Sequence, residues 1–364
     1  VVRTFRTLAA LALLLATLPL GGCYVLHAAA GQMDLNARRV PVAKVVADPA
    51  TPPAVRTQLE LATRIRDYAS RELGLPDNAS YRSYADIGRP YVVWNVFATP
   101  ELSVEPKTWC FPIAGCVAYR GYFAEAKARK FARRLQREGY DVFVGGVPAY
   151  STLGHFADPL LSTMVGWSET SLAGILFHEL AHQVAYVPGD TAFNEAFATV
   201  VENEGVRRWL AAQGREAALA EARRRQANYF AVAAIVAAAR ARLRTVYAGT
   251  LPDARKRELK AAELERLRAD YARLQRERGV AGYDWLFGPE LDNASLLAVA
   301  TYHECVPGLE ARLAAIGGDL PAFYADVRGL AKLTRAERRA KVCESAAAAP
   351  LSAPPPASDR SSSR

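Results

Sequence analysis

The chain has 364 residues, 51% of them hydrophobic and 23% charged, with a formal net charge of +9. That balance excludes a wholly disordered or collagen-like protein, and the length allows a substantial core in one large domain or two. The basic excess lies in arginines scattered over helical stretches, with no basic cluster interleaved with aromatics. This argues against a nucleic-acid partner and leaves attraction to an anionic membrane surface as the milder consequence.

At the N-terminus, Arg3 and Arg6 precede an uncharged run over residues 8–20. The run is too short to span a bilayer comfortably and fits the core of a signal peptide. It ends in Leu20-Gly21-Gly22-Cys23, which resembles a bacterial lipobox. The resemblance implies cleavage before Cys23 and lipidation of that residue. With Tyr24 rather than Asp next, it implies an outer-membrane anchor facing the periplasm. An ordinary secretory signal with Cys23 incidentally near its end is the alternative. Export also accounts for the other cysteines, because an even number in an oxidising compartment suggests disulfides. Cys110 and Cys116 enclose a turn-rich stretch and read as a local bridge. Cys305 with Cys343 then ties the C-terminal region to the core, the preferred one of three connectivities.

Residues 23–53 read as a tether and entry segment after a signal peptide over 1–22. Helical periodicity covers 57–73, and strand patterns cover 91–97, 117–122 and 142–147, with an amphipathic helix over 124–139 between the last two. Extended elements at 148–154 and 158–164 come next.

The most informative stretch follows. His178, Glu179 and His182 spell H-E-L-A-H on a predicted helix, with Ser168 as N-cap and Glu169 suited to the positive helix end. Leu172, Leu176, Leu180 and Val184 form the apolar stripe opposite the histidines. Ser171 and Gly174 flank the histidine face and leave room for something bulky. Residues four apart share a helix face, so two imidazoles can hold one metal ion while Glu179 is turned roughly 100° and free to act as a base. A zinc hydrolase needs three protein ligands and an open position. Glu195, in F-N-E-A-F-A, is the obvious third. A helix with two incidental histidines is the bland alternative.

A helix over 192–210 carries Glu195 and Glu202. Glu202 reads as a carboxylate partner for a metal-bound histidine, as a rival third ligand, or as a solvated residue. Residues 216–246 and 254–278 predict an antiparallel helical hairpin (216–278), its second helix covered with charge. Residues 291–327 read as helical, broken near Pro307 and Gly317-Gly318. From 346 to 364 the composition cannot build a core and is expected to be disordered.

The stretches W-C-F-P-I-A-G-C-V-A-Y-R-G-Y-F, A-Y-S-T-L-G, D-P-L-L-S-T-M, F-H-E-L-A-H-Q and F-N-E-A-F-A-T together resemble the predicted aminopeptidase family of bacterial envelope proteins. The likeness runs from about residue 31 to 333. It implies a gluzincin-type zinc peptidase with one Zn2+ on His178, His182 and Glu195 and with Glu179 as general base. The expected architecture is α+β and mostly helical: a zincin-like core in a domain over 54–345, with a small mixed sheet and a long helical hairpin. For the oxyanion, Tyr122, Tyr150, Tyr302, His303 and His155 are candidates. For a substrate α-ammonium, the candidate is Glu101. The expected partners are a peptide substrate and the membrane. An envelope endopeptidase is the rival within enzymes. Outside enzymes the rival is a non-catalytic lipid-anchored binding or assembly factor whose metal site is structural or vestigial.

Overall fold

A computed structural model of the protein describes residues 22–111, 115–149, 151–152, 154–300 and 305–344. The apolar run over 8–20, Tyr150, Tyr302, His303 and the tail over 346–364 lie outside the described residues. Helix α1 (Gly22–Ala37) occupies most of the stretch expected to be a tether. It is packed, not extended: Leu35 is buried, and the Tyr24 hydroxyl donates to the Gly121 carbonyl at 3.0 Å. Gly31 sits so close to the Phe123 ring that a Cβ there would lie 2.2 Å from it. Contact made through a glycine and one leucine leaves almost no periodic signal, which is why the pattern hides this helix.

Strand β1 (Val40–Pro41), helices α2 (Val42–Ala47) and α3 (Pro53–Arg71), and strand β2 (Ser83–Ala85) follow. Next come β3 (Val93–Pro100), the ribbon β4 (Trp109–Phe111) and β5 (Gly115–Val117), β6 (Tyr119–Tyr122), α4 (Glu125–Arg137) and β7 (Tyr140–Val147). The strands β6-β3-β7 make an antiparallel sheet. A second small sheet pairs β1 antiparallel and β8 (Leu160–Leu161) parallel to β2, so it is mixed. Among the described residues, the two extended stretches expected before the histidine helix thus supply only the two strand residues of β8.

Alternation gives the antiparallel sheet two different faces. Trp94, Val96 and Ala98 point to the side covered by Ala128, Phe131 and Leu135 of α4. On the other side Tyr119, Phe97 and Phe143 stand directly opposite one another across the three strands. Ala294 and Leu297 cover this row.

The helical body begins with α5 (Glu169–Ala181) and α6 (Thr191–Ala212), followed by the hairpin α7 (Glu216–Ala248) and α8 (Asp253–Arg278). Helices α9 (Leu297–Ala300), α10 (Val306–Ala315), α11 (Leu320–Ala331) and α12 (Arg335–Arg339) complete it. Phe177, Phe197 and Phe323 are fully buried at its centre. Gly205 of α6 lets α5 come close, since a Cβ there would meet the Phe177 ring at 2.6 Å. The hairpin closes on Val232, Val236, Leu243, Leu264, Leu267 and Tyr271. Its charged helix is more than a solvated face: Lys260 pairs with Asp141 of β7 at 2.6 Å.

The pairs Cys110–Cys116 and Cys305–Cys343 are disulfide-bonded. The second ties the start of α10 to the turn after α12, where the Gly308 position abuts the Val342 carbonyl. Among the described residues no helix is long and apolar enough to cross a membrane.

Candidate metal centre

Helix α5 is started by Ser168, whose hydroxyl accepts the Ser171 amide at 3.2 Å. Leu172, Leu176 and Leu180 are buried beneath it, so its opposite face presents His178 and His182. His178 Nε2 and His182 Nε2 face each other at 3.2 Å. Glu195 Oε2 lies 3.3 Å from the first and 3.8 Å from the second. Zinc–ligand bonds of about 2.1 Å in a tetrahedron put neighbouring ligand atoms about 3.4 Å apart. The three donors therefore fit one such cation. Among the described residues they are the one cluster of at least three metal-ligating side chains.

The chain returns from His182 to Glu195 within thirteen residues, and the structure shows how. Gly189 takes a left-handed turn at φ +80. The buried Asn194 side chain then clamps Val187 from both sides, accepting its amide at 2.8 Å and donating to its carbonyl at 2.8 Å. Asp190, at the start of α6, is held by Arg338 at 2.6 Å, in a pair almost fully shielded from water. Gln183 accepts from Asn78 at 2.7 Å and donates to Ser80 at 3.2 Å, tying the loop before β2 to the end of α5. Reading the sequence passed over Asn194 and Gln183, although each adjoins a metal-ligand candidate.

Glu202 sits apart from the triad. Its Oε2 accepts from His178 Nδ1 at 3.0 Å, on the side of the ring away from Nε2. A metal-binding imidazole is commonly held in this way, which orients the ring and leaves Nε2 as the lone-pair donor. The space beside Gly174 is taken by this carboxylate, and a Cβ on Gly174 would lie 2.9 Å from Glu202 Oε1.

Burial works to lower the basicity of His178, but the hydrogen-bonding carboxylates of Glu195 and Glu202 overcome it and raise the pKa well above normal. Burial pushes His182 down to about 4, which favours the neutral, metal-binding form. Burial raises Glu195, yet its bond to His178 and the charges of both imidazoles bring it below the usual carboxylate range. Burial pushes Glu179 up to about 7. A proton acceptor poised near neutrality suits general-base work.

The structure separates the other candidates. Tyr122 is buried under α4, against Tyr24 and Phe131, on the face of the sheet that packs on that helix. Tyr119, three residues earlier, necessarily points to the other face. There its ring lies tilted against that of Phe97, with centroids 5.7 Å apart, and its phenol is raised first by burial and then by the charge of Glu195, with Tyr186 and Glu179 adding to it. Tyr186 stands edge-on to His182, with ring centroids 6.4 Å apart. Among the described residues, Tyr119 and Tyr186 both feel the charge of Glu195, and so does Tyr229 of α7, whose phenol is raised first by burial and then by neighbouring groups that include Glu202 and Glu195. Glu101 is no free anion: Arg257 of α8 grips both its oxygens at 2.8 Å, and its carbonyl accepts from Lys260. His155 lies in a turn closed on Thr152 and is exposed.

A cavity of about 920 Å³ runs along α5, α6 and α7 on the Glu202 side of His178, and of the three donors only His178 lines it. His178, Glu202, Tyr229, Gln226 and Glu310 are among its lining residues. The mixed lining suits a polar chain with apolar side groups.

Residues 23–342 match the model of a family described as "Putative aminopeptidase". The chain belongs to this family. No curated protein and no solved structure matches it. Family membership supports peptidase activity at a coarse level and a peptide as substrate, and the arrangement of His178, His182 and Glu195 is the part of the molecule suited to that chemistry.

Proposed function

We propose that the protein is a zinc-dependent aminopeptidase of the gluzincin type, held in the bacterial envelope, facing the periplasm, by a lipid on Cys23. The observation that carries this reading is the convergence of His178, His182 and Glu195 within ligand distance of one another, with Glu179 beside them. Zinc held by those three groups would supply the positive charge that polarises a scissile carbonyl and acidifies water.

The chain's own residues do the rest. Glu179 accepts the proton of the attacking water and delivers it to the leaving amine. Glu202 fixes the tautomer and angle of His178. Tyr119, with a phenol that stays protonated, donates to the developing oxyanion. Glu101, bound to Arg257, is not available as the anchor for a substrate ammonium.

The endopeptidase reading differs in one respect. An aminopeptidase fails on peptides with acetylated N-termini, whereas an endopeptidase does not. The non-catalytic reading has no use for Glu179, since structural zinc sites are closed by four protein ligands. The deciding experiment measures bound zinc and hydrolysis of a mixed peptide pool for the wild type and Glu179→Gln. One zinc per chain in both, with turnover reduced at least about 100-fold in the variant, is expected. Equal turnover in the two proteins would remove the mechanism.

A further inference from the structure

Helix α1 carries the three most exposed large apolar side chains among the described residues: Leu26 at 71%, Met33 at 70% and Val25 at 60%. Leu26, Ala29, Ala30 and Met33 follow the i, i+3, i+4, i+7 spacing of a single stripe. Leu35, on the opposite side of the helix, is the residue buried in the protein. No Lys, Arg, Asp or Glu occurs between Gly22 and Met33. A folded domain rarely leaves such a stripe open to water without a use for it.

A second observation says what covers it. His27 of α1 accepts the Phe123 amide at 3.2 Å and lies 3.1 Å from Lys127 Nζ, so the basic helix α4 begins beside the stripe. Between Glu125 and Arg137 that helix carries six Lys and Arg against one Glu. Arg129 and Arg134 are paired with Glu125 and Glu138. Lys130, Arg133 and Arg137 are exposed and have no acidic partner among the described residues. Its single aromatic, Phe131, is buried, so no base-stacking surface accompanies the charge.

An exposed apolar stripe, on a helix packed at the start of a second helix that carries unpaired cations, has the chemistry of a surface that sinks into the headgroup region of an anionic bilayer. We propose that α1 and α4 together form a docking face for an anionic lipid surface. The face orients the body of the protein on the membrane, and it does so whether or not the metal centre is a peptidase. An acyl group on Cys23 would tether the chain without fixing its orientation. The stripe, beginning three residues later at Leu26, adds that constraint.

The test uses the full chain, produced in a bacterium that exports it, with one environment-sensitive fluorophore placed through Met33→Cys or, as a control on α8, Arg255→Cys. Vesicles are phosphatidylethanolamine with a quarter phosphatidylglycerol, or pure phosphatidylcholine. The Met33 label should shift to the blue on anionic vesicles while the Arg255 label does not. Adding Lys130→Glu and Arg133→Glu should weaken the response about tenfold at low salt, with unchanged circular dichroism. Met33 emission that ignores anionic vesicles overturns the proposal. So does a response of equal size on neutral vesicles. A shift produced by envelope proteins but by neither vesicle would assign the face to a protein partner and overturn it as well.

Discussion

Glu202 reaches back to the Nδ1 of His178 at 3.0 Å, from seven residues beyond Glu195 on the same helix. Two turns of α6 thus deliver one carboxylate to Nε2 and another to the opposite side of the same ring. The two acids have different jobs because they meet different nitrogens. Removing Glu202 should lower zinc affinity roughly 10–100-fold, as loss of such partners typically does. Competition with a chelator of known affinity would measure this for Glu202→Ala, and an unchanged constant would deny Glu202 that role.

Gly174 is predicted to act through the same carboxylate. A methyl at this position would crowd Glu202 Oε1 at 2.9 Å and push the side chain from His178. Gly174→Ala should therefore weaken zinc binding in the same direction. The double variant Gly174→Ala/Glu202→Ala should bind about as tightly as Glu202→Ala alone, because a shared contact is not lost twice. Additive losses would show that Gly174 works by another route.

Asn194 decides where Glu195 stands. Replacement by Ala leaves the Val187 amide and carbonyl without the side chain that pairs with both. A loss of about 2–4 kcal/mol in stability is expected from two such bonds, together with weaker zinc binding. Asn194→Asp keeps the acceptor and loses the donor, so it should fall between. Urea unfolding with and without zinc would separate the two effects, and a zinc affinity equal to wild type in Asn194→Ala would rule out the positioning role.

Tyr119→Phe and Tyr122→Phe test the two faces of one strand. Phenylalanine keeps the Tyr119 ring against Phe97 and removes only the hydroxyl. Under the proposed mechanism the first variant should lose about 100-fold in kcat with KM nearly unchanged. The second should stay within about twofold of wild type, since its ring is packed under α4. A larger loss from Tyr122→Phe than from Tyr119→Phe would reverse the assignment.

The Cys305–Cys343 bridge closes a separation of 38 residues. Replacing both cysteines by alanine should cost about 2–4 kcal/mol, read as a lower urea midpoint. Zinc content should be unchanged, because neither cysteine is among the triad ligands. Loss of zinc in the folded double variant would place the bridge inside the metal centre instead.

Much of this architecture was legible in the residue pattern. The histidine helix and its N-cap Ser168, the helix that follows it, the hairpin and the antiparallel strands all depend on local spacing, and spacing is written in the chain. The likeness to an aminopeptidase family was legible for the same reason, because its motifs are contiguous. Helix α1 was not, since it is held by a glycine contact and a few long-range bonds that produce no periodicity. The sequence offers Tyr122, whereas the structure brings Tyr119 into the field of Glu195, because periodicity shows alternation without saying which side of the sheet faces the histidines. Glu101 looked available for a substrate amine until the fold laid Arg257 across it from more than 150 residues away.

The linear sequence determined the donor set: two imidazoles one helical turn apart, a neighbouring acid to serve as base, and an acid on the next helix. Only the tertiary structure decided that Glu195 meets both Nε2 atoms while Glu202 takes Nδ1. That division depends on how closely α5 and α6 approach at Gly174 and Gly205 and on the Asn194 clamp, and distances between elements are set by packing, which no local pattern encodes.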